Sequence, residues 1–365
     1  MRKLNKTLSL VLCAAMTASL TACGGSQTAS TTAAATTAAA TEAAATAAPE
    51  TTAAATEAAD AEEEAWKKEP AYGQTIRYWL SDGCTSGPVM ADKLGYYEEE
   101  GLKAEGVKGT SYTEALGTGA ADVAVGHIAT MLVPSTNGVD LTFVGGAHVG
   151  CKSLYVLADS EYQTTADLKG QKISVPNGIG ASDYNITACL LDSDGINPLE
   201  DVNLVQVENS ACVPSMQNGE IAAALLSDTY AYGLVKDGTL RCIRSLLDDD
   251  WVDKPCCIIA MNATFVKENP ITSRKIVECV KKAHIWMREN PEEATQMLLD
   301  EGLNSGDFDK NVEINKSLQF GLTDEFTEAG LRYIADAYLR LGIITATDDI
   351  EEVMAKAWTP MAPEK

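Results

Sequence analysis

The order of hydrophobic and polar positions along this chain predicts short strands followed by helices. Thr75–Leu80 has the composition of a strand, and the apolar runs at 122–125 and Ala222–Leu226 are typical of buried strands. After residue 259 a helical period dominates, most clearly at Ser273–Arg288 and Thr327–Leu341, and Gly342 is a predicted helix stop. Strands alternating with helices over roughly 300 residues predict an α/β protein large enough for two domains.

One stretch, Lys172–Leu191, combines a strand, a glycine-rich turn and a helix start. Ile173–Val175 alternates as a strand does, and Ser182 is predicted to be the N-cap of the following helix. Helix N–H groups carry partial positive charge, so such a turn suits an anionic or strongly polar small molecule. The candidate site residues here are Asn177, Gly178, Gly180 and Ser182. The alternative is that the turn is only a corner and that Ser182 only caps the helix.

The N-terminal residues 1–23 have the pattern of an export signal. Basic residues precede the apolar run Leu8–Ala18, which is too short to span a membrane. Leu20–Gly24 then resembles the lipobox of bacterial lipoproteins, in which Cys23 would become the lipidated N-terminus; an ordinary secretory signal is the alternative. Residues 24–70 are rich in Ala, Thr and Glu, which predicts a low-complexity linker.

The formal net charge of −24 limits the possible partners. It argues against nucleic acid and against a basic patch on anionic lipid. An anion site would have to act through local N–H groups against this charge. No later run of eighteen apolar residues exists in the sequence, so no transmembrane helix is predicted.

Two segments with a shared pattern, 119–127 and 219–227, suggest an internal duplication. Each follows a short helical stretch, continues as a buried strand and turns polar at its C-terminal tip. Ligands of open α/β sheets bind outside the carboxyl ends of strands. We therefore expect His127 and Ser227 at corresponding strand tips.

Ten cysteines are many for an exported protein. No C-x-x-C pair and no metal-like Cys/His spacing is visible, so we expect neither a metal nor a cofactor. Cys256 and Cys257 are adjacent on a predicted strand, so we expect their side chains on opposite faces and not on one metal ion. If the strands that contain Cys151 and Cys257 pair, a disulfide between them is geometrically possible. Cys189 and Cys279 lie on apolar helix faces and are expected to be core residues.

Several motifs occur in an order that resembles a known family. They are Gly95–Leu102 (GYYEEEGL), Asp122–Gly126 (DVAVG), Asp167–Pro176 (DLKGQKISVP), Gly219–Ala223 (GEIAA), Asn269-Pro270 and the NPEE run at 290–293. Together they resemble solute-binding proteins for the nitrate, sulfonate and taurine class of ABC importers, from about residue 72 to 358.

This resemblance implies an α/β, two-lobed periplasmic-binding-protein-like fold (type II) with a ligand cleft between the lobes. Lobe 1 is then discontinuous, at 71–150 plus 259–365, and lobe 2 is 151–258. The crossover strands are expected at Ser153–Leu157 and Cys256–Ala260.

The resemblance also places the ligand-binding residues in four loops of the cleft. These residues are Cys84, Thr85, Ser86 and Gly87; Gly126 and His127; Asn177, Gly178, Gly180 and Ser182; and Ser227, Asp228 and Tyr230. The helix starts near Ser86 and Ser182 are expected to hold an anion between them. His127 either contacts the ligand or is a satisfied histidine at the rim. His284 is expected to be a packing or surface residue.

The function implied is capture of a small solute, of the nitrate, sulfonate, taurine or bicarbonate class, by cleft closure. The protein would be a monomer held to the outer face of the cell membrane by the lipid on Cys23, with ABC permease subunits as partners. A thiamine-precursor pyrimidine or another small heterocycle, and a sensor role, are alternatives. An enzyme similar to the thiamine-pyrimidine synthase is disfavoured, because Cys256-Cys257 is only a fragment of its iron-linked cysteine run.

Overall fold

The computed structural model describes residues 59–361, and the predicted signal, the lipidation of Cys23 and most of the predicted linker lie outside this range. Helix α1 covers residues 59–66. Trp66, at its end, is buried, and its indole N–H donates to the Thr272 hydroxyl at 2.9 Å. Trp66 therefore fixes the end of the region predicted as linker to the folded part.

The first sheet carries the N-terminal strands and two strands from the end of the chain. Its strands are β1 (Thr75–Trp79), β2 (Lys103–Val107), β3 (Val123–His127), β4 (Leu141–Val149), β10 (Cys257–Asn262) and β11 (Gln319–Phe320). Their order is β11-β4-β10-β3-β1-β2. β1 is parallel to β2 and β3, whereas β10 is antiparallel to β3 and β4. Every residue of β4 and β10 is buried, so the core of this sheet is centred on these two strands.

The second sheet is formed by the middle of the chain. Its strands are β5 (Lys152–Leu157), β6 (Lys172–Ser174), β7 (Asn203–Val205), β8 (Ala223–Ser227) and β9 (Leu240–Ser245), in the order β7-β6-β8-β5-β9. β6 is parallel to β7 and β8, and β5 is antiparallel to β8 and β9. The expected crossover strands β5 and β10 lie in different sheets and do not pair, and Cys151 and Cys257 are free thiols.

Helices cover both sheets and continue after the last exchange between them. They are α2 (Gly87–Lys93), α3 (Tyr96–Glu99), α4 (Tyr112–Gly117), α5 (Ile128–Thr136), α6 (Ser182–Ser193), α7 (Asn209–Gln217), α8 (Asp228–Lys236), α9 (Ala263–Glu268), α10 (Pro270–Glu289), α11 (Pro291–Asp300), α12 (Phe308–Ser317), α13 (Asp324–Arg340) and α14 (Ile350–Ala357). The predicted late helices correspond to α10 and α13. Gly342 has a φ of 67° after α13, as predicted for its stop. Within residues 59–361, no helix has the length and apolar character needed to cross a membrane.

The two sheets have the same core arrangement of strands, which agrees with the duplication suggested by the sequence. Each has three parallel strands, with β3 or β8 at the side that meets an antiparallel strand. His127 ends β3 and Ser227 ends β8, so their prediction as corresponding strand tips is confirmed. The chain passes from the first sheet to the second through Gly150 and Cys151, and it returns between β9 and β10.

Candidate functional site

A cavity of about 390 Å³ lies where residues of both sheets meet. Cys84 and Thr85 follow β1, His127 ends β3, and Ser227 ends β8; all four line the cavity. Small-molecule sites usually occupy roughly 300–1,000 Å³, so this volume suits a small solute. These four are among the predicted ligand-binding residues, and their contact with a solute stays a prediction.

The remaining wall of the cavity comes from α11, α12 and the loop between them, which the sequence analysis did not include. Asn304, Asn311 and Asn315 lie in this wall. The loop is tied to the first sheet, since the Gly83 N–H donates to the Leu303 carbonyl at 3.2 Å. The glycine- and asparagine-rich composition of residues 302–306 was the only available signal, and it indicates a turn rather than a ligand.

The cavity offers hydrogen-bonding side chains and neither Lys nor Arg. Its polar lining residues are Asp82, Thr85, His127, Ser227, Thr229, Asn304, Ser305, Asn311 and Asn315. None of the residues lining this cavity is Lys or Arg, and Asp82 supplies the single carboxylate. Hydroxyl, amide and imidazole groups can donate to oxygens of a solute, and Asp82 can accept from a cationic group.

Three predicted residues beside the cavity have clear packing roles. Ser86 is fully buried, and its hydroxyl donates to the Gly83 carbonyl at 2.7 Å. A Cβ on Gly87 would lie 2.1 Å from His284 Nε2, and one on Gly126 would lie 2.6 Å from the Tyr112 ring. Glycine is therefore required at both positions by close approach of a side chain. Solute contact by these three residues stays a prediction.

The glycine-rich turn differs from its prediction at the helix start. Ala181 is the N-cap of α6, and Ser182 is the first helical residue, so the predicted N-cap is wrong by one position. Asp183 explains the difference, because its carboxylate accepts the Asn177 N–H at 2.9 Å and so closes the turn.

The same Asp183 carboxylate forms a buried ion pair with Lys152, the first residue of β5. An anion at this helix start would have to compete with Asp183. Gly178 and Gly180 have left-handed φ values of 87° and 83°. The cavity lining does not include Asn177, Gly178, Gly180 or Ser182, whose solute contact remains a prediction.

The loop after β8 is held mainly by contacts within the second sheet and its helices. Ser227 Oγ accepts the Tyr230 N–H at 3.2 Å and caps α8. Asp228 Oδ1 accepts from the Tyr155 hydroxyl at 2.8 Å, and burial raises the pKa of Asp228. The Tyr230 hydroxyl donates to the Asn209 carbonyl at 3.0 Å. Asp228 and Tyr230 therefore shape this loop, while Ser227 borders the cavity.

Cysteines and histidines meet beside the cavity, contrary to the expectation from their spacing, and Cys84, His127 and Cys151 also line it. Two overlapping groups have ligand atoms that lie within 4.8 Å of one another: Cys84, His148, Cys151 and Cys257, and His127, Cys151, Cys256 and Cys257. Cys151 Sγ lies 3.2 Å from Cys256 Sγ and 3.5 Å from His127 Nε2. The expectation that no metal-like cluster exists is therefore wrong.

The prediction that the Cys256 and Cys257 side chains lie on opposite faces of a strand is also wrong, for a local reason. Cys256 precedes β10, which begins at Cys257, so the alternation of a regular strand does not apply to this pair. Hydrogen bonds from Cys151 and Cys257 lower the pKa of Cys256 to about 6. Burial holds the pKa of Cys257 well above its usual value.

Other cysteines and His284 have the roles expected of core residues. Cys189 and Cys279 are buried on α6 and α10, as predicted. His284 is buried and stacks on Phe320 with ring centroids 5.5 Å apart, and burial lowers its pKa to about 3. The eight cysteines that the structure describes are all free thiols.

Comparison of the two-sheet structure with solved structures identifies its class. It resembles the periplasmic aliphatic sulphonate binding protein of Escherichia coli, with a TM-score of 0.63, 19% identity, and coverage of 80% of this chain and 94% of that one. It also resembles the periplasmic nitrate-binding protein of Synechocystis, with a TM-score of 0.62, 18% identity, and coverage of 78% and 85%. The chain has the α/β fold of periplasmic binding proteins.

Sequence comparison gives the family. The model described as "NMT1/THI5 like" matches residues 85–294, which is more than half of the chain. This chain belongs to the NMT1/THI5-like family. A relative from Brucella abortus, named as a binding protein, is 25% identical over 231 residues, which are 62% of this chain and 69% of that protein.

Proposed function

We propose that this chain is the solute-binding protein of an ABC importer and works outside the cytoplasm. The observation that carries the proposal is the cavity of about 390 Å³, whose walls come from both sheets and from the α11–α12 segment. The chain passes between the two sheets at two exchange points, so the sheets can move towards each other. The cavity would then enclose the solute. Membership of the family and the likeness to sulphonate- and nitrate-binding proteins support the same function.

The solute is proposed to be a small molecule of the nitrate, sulfonate, taurine or bicarbonate class. His127 and Ser227 would donate to its oxygens, with the amides of the α11–α12 wall completing the shell. The Thr85 hydroxyl donates to the Asp82 carbonyl at 2.9 Å, so its oxygen would accept from a cationic group of the solute. A zwitterion such as an aminosulfonate fits this lining better than a bare anion. Its cationic group can pair with Asp82, whereas a bare anion would meet no opposite charge among the lining residues.

The mechanism proposed involves binding and closure without chemical change of the solute. The lobes, at 71–150 plus 259–365 and 151–258, would close on the solute, and the closed form would dock on the permease. We further propose that the chain is a monomer anchored by a lipid on Cys23. Replacement Cys23→Ala should move the protein from the membrane fraction to the soluble fraction, and an intact protein that stays membrane-bound after this change would refute the anchor.

Calorimetric titration with taurine, short alkanesulfonates, nitrate and bicarbonate tests the proposed binding. Thr85→Val should weaken binding of the preferred solute by about 1–3 kcal/mol, or roughly five- to hundredfold, because the cavity loses a hydroxyl oxygen that can accept from the solute. Thr345→Val is the matched control, since Thr345 is exposed and lies outside this cavity. Equal affinities of the two folded variants would contradict the proposed role of Thr85.

A further inference from the structure

The cysteine–histidine cluster lies where the chain exchanges between its sheets. Cys84 follows β1 and His148 belongs to β4, while Cys151 lies between β4 and β5 and Cys257 begins β10. These donors are separated by up to 173 positions in the sequence, yet their ligand atoms lie within 4.8 Å of one another. A second group replaces Cys84 and His148 with His127 and Cys256. Each group supplies three thiols and one imidazole.

His148 provides a second and independent observation. Its side chain is fully buried, and Nε2 has no hydrogen-bond partner among the described residues. Nδ1 lies 3.2 Å from the Val149 carbonyl, which favours the tautomer with the proton on Nδ1 and a free lone pair on Nε2. Metal-bound histidines usually donate their other ring N–H to a carboxylate, a backbone carbonyl or water, and Nδ1 of His148 has such a carbonyl.

The backbone of Cys151 provides a third observation. Its φ of 86° is the sole positive φ of a residue other than glycine between residues 59 and 361. This conformation costs about 1–3 kcal/mol for a residue with a Cβ, and such strain is retained mainly at functional sites. Glycine would remove the strain at this exchange point. A cysteine at this strained position therefore indicates a functional role for its thiol.

We propose that this cluster binds a thiophilic d10 metal ion, Zn²⁺ or Cu⁺, through three cysteines and one histidine. Thiolate and imidazole are the ligands that both ions prefer, and three sulfurs with one nitrogen form a common tetrahedral set. Cys151 and Cys257 belong to both groups, so either arrangement of one ion depends on them. The bound ion would join both chain exchanges to the loop after β1 through Cys84, or to the end of β3 through His127, and would brace the junction of the two sheets.

This inference goes beyond solute capture and can be tested without any solute. The mature chain, fully reduced and kept free of oxygen, is titrated with Zn²⁺ and separately with Cu⁺ against a competing chelator of each ion. Co²⁺ serves as a spectroscopic substitute for Zn²⁺, because thiolate ligation gives an intense near-ultraviolet charge-transfer band. All samples carry Cys242→Ser, which removes the exposed thiol.

We expect the chain to bind about one ion tightly in the titration with Zn²⁺, in that with Cu⁺, or in both. The Co²⁺-substituted protein should show the thiolate charge-transfer band. Cys151→Ser and Cys257→Ser should each weaken binding by more than the roughly 10–100-fold typical of a lost outer-shell partner. Cys279→Ser, a buried cysteine outside the cluster, should retain wild-type affinity.

Cys84→Ser and Cys256→Ser complete the design if the variants of the shared cysteines do not fold. Each removes a donor from one group only, so at least one of them must weaken metal binding. Absence of chelator-resistant binding of both metals to the reduced protein would overturn the proposal. Binding that persists unchanged in every cluster variant would overturn it as well, because the ion would then lie elsewhere. Solute titration of the same samples tests the importer function separately.

Discussion

The buried ion pair between Lys152 and Asp183 gives a sharp prediction about stability. Lys152 is 8% exposed and Asp183 1% exposed, so solvent screens this pair very little. Asp183→Asn keeps the size of the side chain and an acceptor for the Asn177 N–H, but it leaves the Lys152 cation without its counter-charge. Loss of one partner of a buried pair typically destabilises a protein by about 3–5 kcal/mol.

Urea denaturation of the single and double variants measures this effect. Asp183→Asn should lower the free energy of unfolding by about 3–5 kcal/mol, and Lys152→Met combined with Asp183→Asn should recover most of the loss, because no uncompensated charge remains. Glu292→Gln breaks the exposed pair with Lys316 and should change stability by less than about 1 kcal/mol. The reasoning is refuted if Asp183→Asn costs no more than this control, or if the double variant is the least stable of the set.

Three further predictions concern pH, packing and the glycine-rich turn. Because burial lowers the pKa of His284 to about 3 in the folded state, the unfolded chain takes up this proton first as pH falls. His284 should therefore remove about 1.4 kcal/mol of stability per pH unit from roughly pH 6.5 towards pH 3, and urea titrations of His284→Phe should lack this component; an identical pH profile would contradict the assignment. Gly330→Ala should destabilise by about 1–3 kcal/mol, since its Cβ would lie 2.2 Å from Pro255 Cδ, and an unchanged melting temperature would disprove this contact. Gly180→Val should weaken solute binding in calorimetry if the turn faces the solute, whereas a folded variant with unchanged affinity would show that the turn is only a corner.

The sequence predicted those features that depend on neighbouring residues in the chain. Composition located β1, alternation located β6, and the helical period located α10 and α13 to within a few residues. The stop at Gly342 followed from the need for a left-handed residue after a helix. The paired strand tips His127 and Ser227 were predictable because both halves of the duplication retain the same order of strand and polar residue.

Features formed by distant residues could not be read in the same way. The metal-like cluster needs the loop after β1, the β4–β5 connection and the start of β10 in one place, and only the sheet order brings them together. The cap at Ala181 was missed because alanine has no side-chain acceptor, so nothing in its own chemistry marks it as an N-cap. The α11–α12 wall was missed because Asn304 lies in a segment with only turn signals, and nothing in the sequence marks Asn311 and Asn315 of α12 as lining a cavity.

The central claim is that a small solute binds in the cavity between the two sheets. A crystal structure of the protein with the tightest-binding solute from calorimetry tests this most directly. The account predicts electron density for one solute molecule against Thr85, His127 and Ser227, with the α11–α12 segment closing the other side. Density for the solute outside this cavity, with the cavity itself free of it, would contradict the account.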